Sequence, residues 1–95
     1  MKADNNVVYK YSLKPFRSTR QLVRMPMGAE ILDAQFQDGQ FVMWASLYDS
    51  YEQRNLKEDR AFVILYTGEV TKHRIRQHLA TLQMHGLVYH IFEID

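Results

Sequence analysis

The sequence of 95 residues has no cysteine, only two prolines, four glycines and a formal net charge of +1. No apolar run approaches the roughly 20 residues needed to cross a bilayer. Each shortage excludes something. Without cysteine there is no disulfide framework, thiolate metal site, iron–sulfur cluster or cysteine nucleophile, and a reducing interior is permitted. Gly28, Gly39, Gly68 and Gly86 stand apart from one another, so neither a phosphate-cradling P-loop nor a dinucleotide fingerprint is present. Ser12, Ser18, Ser46 and Ser50 lack the glycine-flanked elbow of a serine nucleophile. The polar start, residues 1–6, lacks the apolar stretch of a signal peptide, which leads to the expectation of a soluble intracellular protein. What is present is a hydrophobic content of 46%, too high for intrinsic disorder, in a length that allows one core. The expected organisation is a flexible N-terminus over residues 1–6 and a single β-rich domain over 7–95.

The small net charge conceals an uneven layout. Residues 1–29 carry Lys2, Lys10, Lys14, Arg17, Arg20 and Arg24 against Asp4, a balance of +5. Residues 30–59 carry seven carboxylates, from Glu30 to Asp59, against Arg54 and Lys57, a balance of −5, and the remainder returns to +1. Two readings follow: cross-strand ion pairing on a solvated surface, or a dipolar surface that docks a charged partner or a second copy of the chain.

Periodicity favours strands. Val7, Tyr9, Tyr11 and Leu13 alternate with Lys10 and Ser12, the period of two of a half-buried strand. Beyond Lys14-Pro15, a second short strand is expected over residues 20–25, with Val23 and Met25 opposed to Leu22 and Arg24, followed by a connection at Pro26-Met27-Gly28. Asp38-Gly39 between two alternating runs predicts a hairpin with a type I′ turn. Its register would pair Phe36 with Phe41, Ala34 with Met43 and Leu32 with Ala45 on an apolar face. The other face would pair Gln37 with Gln40, Gln35 with Val42 and Asp33 with Trp44. Residues 49–59 read as an exposed loop or one helical turn. The unbroken apolar run 61–66 predicts a strand buried on both faces at the centre of a sheet. The basic stretch 69–78 is open between loop, short helix and edge strand. The chain closes with a second hairpin at His85-Gly86, pairing Met84 with Leu87, Leu82 with Tyr89, Ala80 with Ile91, Thr81 with His90 and Leu79 with Phe92. A competing reading makes residues 72–85 an amphipathic helix ending at Gly86. The fold class expected is mainly β, a small antiparallel sandwich or barrel of six to seven strands with at most one short helix.

The succession Tyr9-Lys10-Tyr11, Met25-Pro26, Gly28-Ala29, Ile31-Leu32, Gln37-Asp38-Gly39, Trp44-Ala45, Thr67-Gly68 and His90-Ile91-Phe92-Glu93 resembles a family of small, uncharacterised, mostly tailed-bacteriophage proteins. The resemblance runs from about Val7 to Ile94, and this chain departs from it in a longer basic insert between Gly68 and Leu79. It implies a phage origin and a compact β-rich fold, with no catalytic residue to transfer.

The four histidines give no metal site, because His73 and His78, like His85 and His90, are five apart and share no helical or strand face. His90, beside Tyr89 and Phe92, reads first as a histidine with a satisfied hydrogen bond and second as a functional one. Trp44 is expected to be half exposed, covered either by the N-terminal segment or by a partner. The candidate interaction surface comprises Trp44, Asp33, Gln35, Tyr9, Tyr11, Arg17, Arg20 and His90, with no catalytic, cofactor or metal residue. The expected function is that of a non-enzymatic phage accessory protein in the host cytoplasm, binding a host or phage protein, with a homodimer as a further possibility and no membrane partner. The alternatives are a nucleic-acid-binding β-barrel, in which Tyr9, Tyr11, Phe16 and Trp44 would join the nearby basic residues, and a minor virion component. The acidic middle third argues against a polyanion as partner.

Overall fold

The computed structural model describes residues 6–48 and 55–95. Turn chemistry and alternation divide them into seven strands: β1 (Asn6–Leu13), β2 (Gln21–Pro26), β3 (Glu30–Gln37), β4 (Gln40–Tyr48), β5 (Lys57–Tyr66), β6 (Ile75–Met84) and β7 (Leu87–Ile94). All neighbouring strands pair antiparallel, β1-β4-β3 in one sheet and β2-β5-β7-β6 in the other. The architecture is a β sandwich, and of the described residues only Asn55 is helical. The helix considered over 72–85 is instead mostly edge strand β6. Strand β1 starts one residue early, at Asn6, and β5 starts at Lys57, inside the segment expected as a loop. Residues 49–54 of that segment, and 1–5 of the flexible start expected over 1–6, lie outside the described residues.

The core is the product of two alternations meeting face to face. Tyr11 and Leu13 of β1, Ala34 of β3, and Phe41, Met43 and Ala45 of β4 point inward from the three-stranded sheet. Val23 and Met25 of β2, Phe62 and Ile64 of β5, Ala80 and Leu82 of β6, and Tyr89 and Ile91 of β7 meet them from the other. As expected from its unbroken apolar run, β5 lies between β2 and β7 and is buried on both sides. Its outward residues Ala61, Val63 and Leu65 form a second cluster with Ile94, against which Phe92 packs.

Both hairpins form at the expected turns. Asp38 and Gly39 have φ of 51° and 80°, and His85 and Gly86 have 48° and 79°, the positive pair a type I′ turn requires. A Cβ at Gly39 would meet nothing within 4 Å, so Gly39→Ala separates backbone strain from steric clash, and Gly39→Val carries the same strain. That strain is expected to cost about 1–3 kcal/mol, read as a lower unfolding midpoint, and an unchanged midpoint would exclude this account of the turn.

The registers depart from simple alternation once in β3 and twice in β6. Phe36 pairs with Phe41, Ala34 with Met43 and Asp33 with Trp44 as expected, but Ile31, not Leu32, lies opposite Ala45. The extra residue lets Ile31 pack against the core while Leu32 faces solvent. In the second hairpin, Met84 to Ala80 pair as expected, but His78, not Leu79, lies opposite Phe92. Here the bulge allows Leu79 as well as its neighbour Ala80 to pack on the core.

Candidate functional site

The outward face of the three-stranded sheet is built on β4, whose Trp44 stands between Lys10 of β1 and Asp33 of β3. Trp44 is half-buried. The Lys10 ammonium lies 6.0 Å from the centre of its ring and also bonds to Gln37 Oε1. Gln35 Nε2 donates to Asp33 Oδ2 at 2.8 Å, and Ser12 Oγ donates to Gln40 Oε1 at 3.2 Å. The indole thus sits among amides and a hydroxyl, with a cation on the strand to one side of β4 and an anion on the strand to the other. Strand β1 lies beside Trp44 in the sheet, not over it, so the described part of the N-terminal segment, from Asn6 to Leu13, does not provide the expected cover.

The other expected surface residues separate from this patch. Tyr9 and Tyr11 pair with Ala45 and Met43 and share their inward side of the sheet, opposite to Trp44. The rings lie 6.4 Å apart, and burial, helped by Tyr9, pushes the Tyr11 hydroxyl pKa up. Alternation alone predicts this placement, since odd and even residues of β1 face opposite ways.

Arg17 and Arg20 hold the connection between β1 and β2 against the four-stranded sheet. The Arg17 guanidinium stacks 3.9 Å from the centre of the Tyr66 ring and pairs with Glu69 at 3.2 Å. Glu69 also accepts from the Tyr66 amide and from Ser18 Oγ, each at 2.7 Å. These hydrogen bonds, that from the Tyr66 amide first, hold the Glu69 carboxyl below the usual carboxylate range. The Ser18 amide donates to the Ile64 carbonyl at 2.8 Å, and Arg20 Nε donates to the Asp95 carbonyl at 3.1 Å. The ion pairing expected between the basic first third and the acidic middle third is seen in Arg24 and Asp59, exposed and 3.3 Å apart. Arg17 and Arg20 turn instead to the last third of the chain.

His90 faces outward from the four-stranded sheet in a chain of four side chains. Its Nε2 lies 2.7 Å from Thr67 Oγ1 and its Nδ1 3.0 Å from Thr81 Oγ1, which in turn lies 2.8 Å from His78 Nε2. Both histidine rings pack on Phe92. The satisfied reading of His90 describes this geometry. The partnership with His78 was missed because an unbroken register would have put Glu93 opposite His78 on the inner side, and the bulge at Leu79 reverses it. Among the described residues no three histidine or carboxylate side chains gather into a metal-binding group.

The charged pair Arg60 and Glu93 is the other feature missed. Arg60 Nε and Nη2 bond to the two carboxylate oxygens of Glu93 at 2.7 and 2.8 Å, and Nη1 bonds to the Ala29 carbonyl. Their side chains are only 14% and 6% exposed, at the edge of a polar hollow of about 310 Å³ shared with Glu58 and Arg76. Every guanidinium edge used here is directed at the protein itself, which makes the pair a brace between β5, β7 and the turn before β3.

Fold and surface together define a small antiparallel β sandwich with Trp44 half-buried on the outward side of its three-stranded sheet. Over residues 4–95 the sequence matches the family described as a domain of unknown function (DUF7352), and the chain belongs to that family. No curated protein and no solved structure matches it.

Proposed function

We propose that this chain is a non-enzymatic phage accessory protein that binds a host or phage protein in the cytoplasm of the infected cell. The observation that carries the reading is Trp44, half-buried on the middle strand of a sheet face over which no other described strand lies, with Lys10 and Asp33 on either side. Tryptophan combines a large apolar area with few rotatable bonds and is enriched among residues that dominate protein interfaces. A cation and an anion flanking it suit a partner of mixed charge better than a polyanion. The phage setting rests on the sequence resemblance.

The test is capture of a partner from phage-infected lysate by the wild-type chain and by Trp44→Ala, followed by titration of the identified protein. Trp44→Ala is expected to weaken binding by about 2 kcal/mol or more, roughly thirtyfold, while leaving the far-ultraviolet circular dichroism unchanged. A partner held equally by both chains would overturn the reading. Quenching of Trp44 fluorescence by single-stranded nucleic acid, lost steeply as salt rises, would replace it with the nucleic-acid alternative.

A further inference from the structure

Among the described residues the sandwich has four edge strands, β1 and β3 in one sheet and β2 and β6 in the other. Exposed edges invite pairing with other chains, and proteins blunt them with charge, proline and bulges. Strand β1 carries Lys10, β2 carries Arg24 and ends on Pro26, and β3 carries Glu30, Asp33 and a bulge. Strand β6 is protected in the same way only in its first half, by Arg76 and two irregularities of register. Its second half, Ala80-Thr81-Leu82-Gln83-Met84, is uncharged, free of proline and regularly paired to β7.

Hairpin geometry fixes what this half presents. With a two-residue turn at His85-Gly86, Met84 and Leu87 exchange both hydrogen bonds, as do Leu82 with Tyr89 and Ala80 with Ile91. The N–H and C=O of Thr81 and Gln83 are therefore directed to the open side. Beside them a groove of about 480 Å³ runs between β3 and β6, lined by Phe36, Leu82 and Met84 among others. Phe36 is 39% exposed there, and Leu87, next to the turn, is 42% exposed.

We propose that this edge pairs with the same edge of a second copy of the chain, antiparallel about a two-fold axis through Leu82, joining two four-stranded sheets into one of eight. In that register Leu82 meets Leu82 of the other copy, Ala80 meets Met84 and Thr81 meets Gln83. Every apolar residue faces an apolar one on the inward side, and every polar residue faces a polar one on the outward side. Thr81 and Gln83 exchange backbone bonds with their counterparts, four in all across the axis. The segment is electrically neutral, so a copy of itself meets no like charge, and this self-match is what favours a second copy over an arbitrary peptide. Five residues of edge bury less than the roughly 1,200 Å² of a standard interface, so the dimer is expected to be micromolar or weaker. It leaves the Trp44 face free, and its failure would leave the partner-binding reading untouched.

Sedimentation of the wild-type chain from micromolar to millimolar concentration is expected to show the mass rising from monomer to dimer. Gln83→Pro removes an outward N–H without removing a bond to β7, and is expected to move that rise at least tenfold higher in concentration with the thermal midpoint little changed. In an otherwise cysteine-free chain, Leu82→Cys places two thiols at the axis in a non-hydrogen-bonded pair, where Cα atoms lie about 4.5 Å apart. It is expected to form a disulfide dimer on mild oxidation faster than Val8→Cys on the edge of β1, and this comparison decides the matter if Gln83→Pro fails to fold. A wild-type chain that remains monomeric throughout, or Leu82→Cys cross-linking no faster than Val8→Cys, would overturn the proposal.

Discussion

Arg60→Ala is expected to lower the unfolding free energy by about 3–5 kcal/mol, the usual cost of removing one partner of a buried ion pair. The reason is what stays behind. Glu93 is 6% exposed and would keep its charge away from water without the two guanidinium bonds that now hold it. The Ala29 carbonyl loses its Arg60 donor as well. A domain of this size has about 5–15 kcal/mol in total, so the loss is a large part of what keeps it folded. The pair's net worth is a separate matter, since desolvating two ions offsets most of their attraction. Replacing both, Arg60→Met with Glu93→Leu, is accordingly expected to be far less harmful than Arg60→Ala alone. Denaturant unfolding of the single and double variants measures both quantities. A loss below about 1 kcal/mol for Arg60→Ala, the range of an exposed pair, would show that water reaches Glu93 and that the pair is not a brace.

Phe62→Ala is expected to cost a similar amount, about 3–5 kcal/mol. Among the described residues Phe62 is the largest fully buried side chain; it projects from β5 into the space between the sheets, with the strands on both sides holding it in register with Gln21 and Glu93. Truncation opens a cavity that neither sheet can close without breaking its ladder. Phe62 is also the cross-strand neighbour of Glu93, so its loss opens a route for water to the Arg60–Glu93 pair. Combining Phe62→Ala with Arg60→Ala is therefore expected to cost less than the two single losses added together, because the second change removes a pair the first has already wetted. Strict additivity by calorimetry would mean that the ring and the ion pair are independent.

Much of the strand layout was legible because it depends on short-range rules. Asp38-Gly39 and His85-Gly86 specify their turns through positive φ, and the alternation on either side then sets the register for several residues outward from each turn. It stops working where two apolar residues are adjacent. At Ile31-Leu32 and Leu79-Ala80, polarity does not say which one belongs inside, and a bulge resolves each case through packing against the opposite sheet. That local decision moved His78 to the outer surface and created its link to His90 through Thr81. The surface residues show the same division. Trp44, Asp33 and Gln35 could be grouped from the hairpin alone. Arg17 and Arg20 could not be placed, since Glu69 and the Asp95 carbonyl reach them only after β5 and β7 have assembled.

The lack of cysteine and of clustered glycine excluded a disulfide framework and a phosphate-cradling glycine loop within this sequence. Alternation, the hairpin turns at Asp38-Gly39 and His85-Gly86 and the apolar run 61–66 determined a β-rich chain with β5 at the centre of a sheet. These are properties of composition and of residues a few positions apart. The tertiary structure alone decided that the strands divide three and four, that Arg60 and Glu93 meet across β5 and β7, and that the regular half of β6 is left with an uncharged open edge. Those outcomes depend on which distant strands become neighbours, and that is settled by the packing of one sheet on the other.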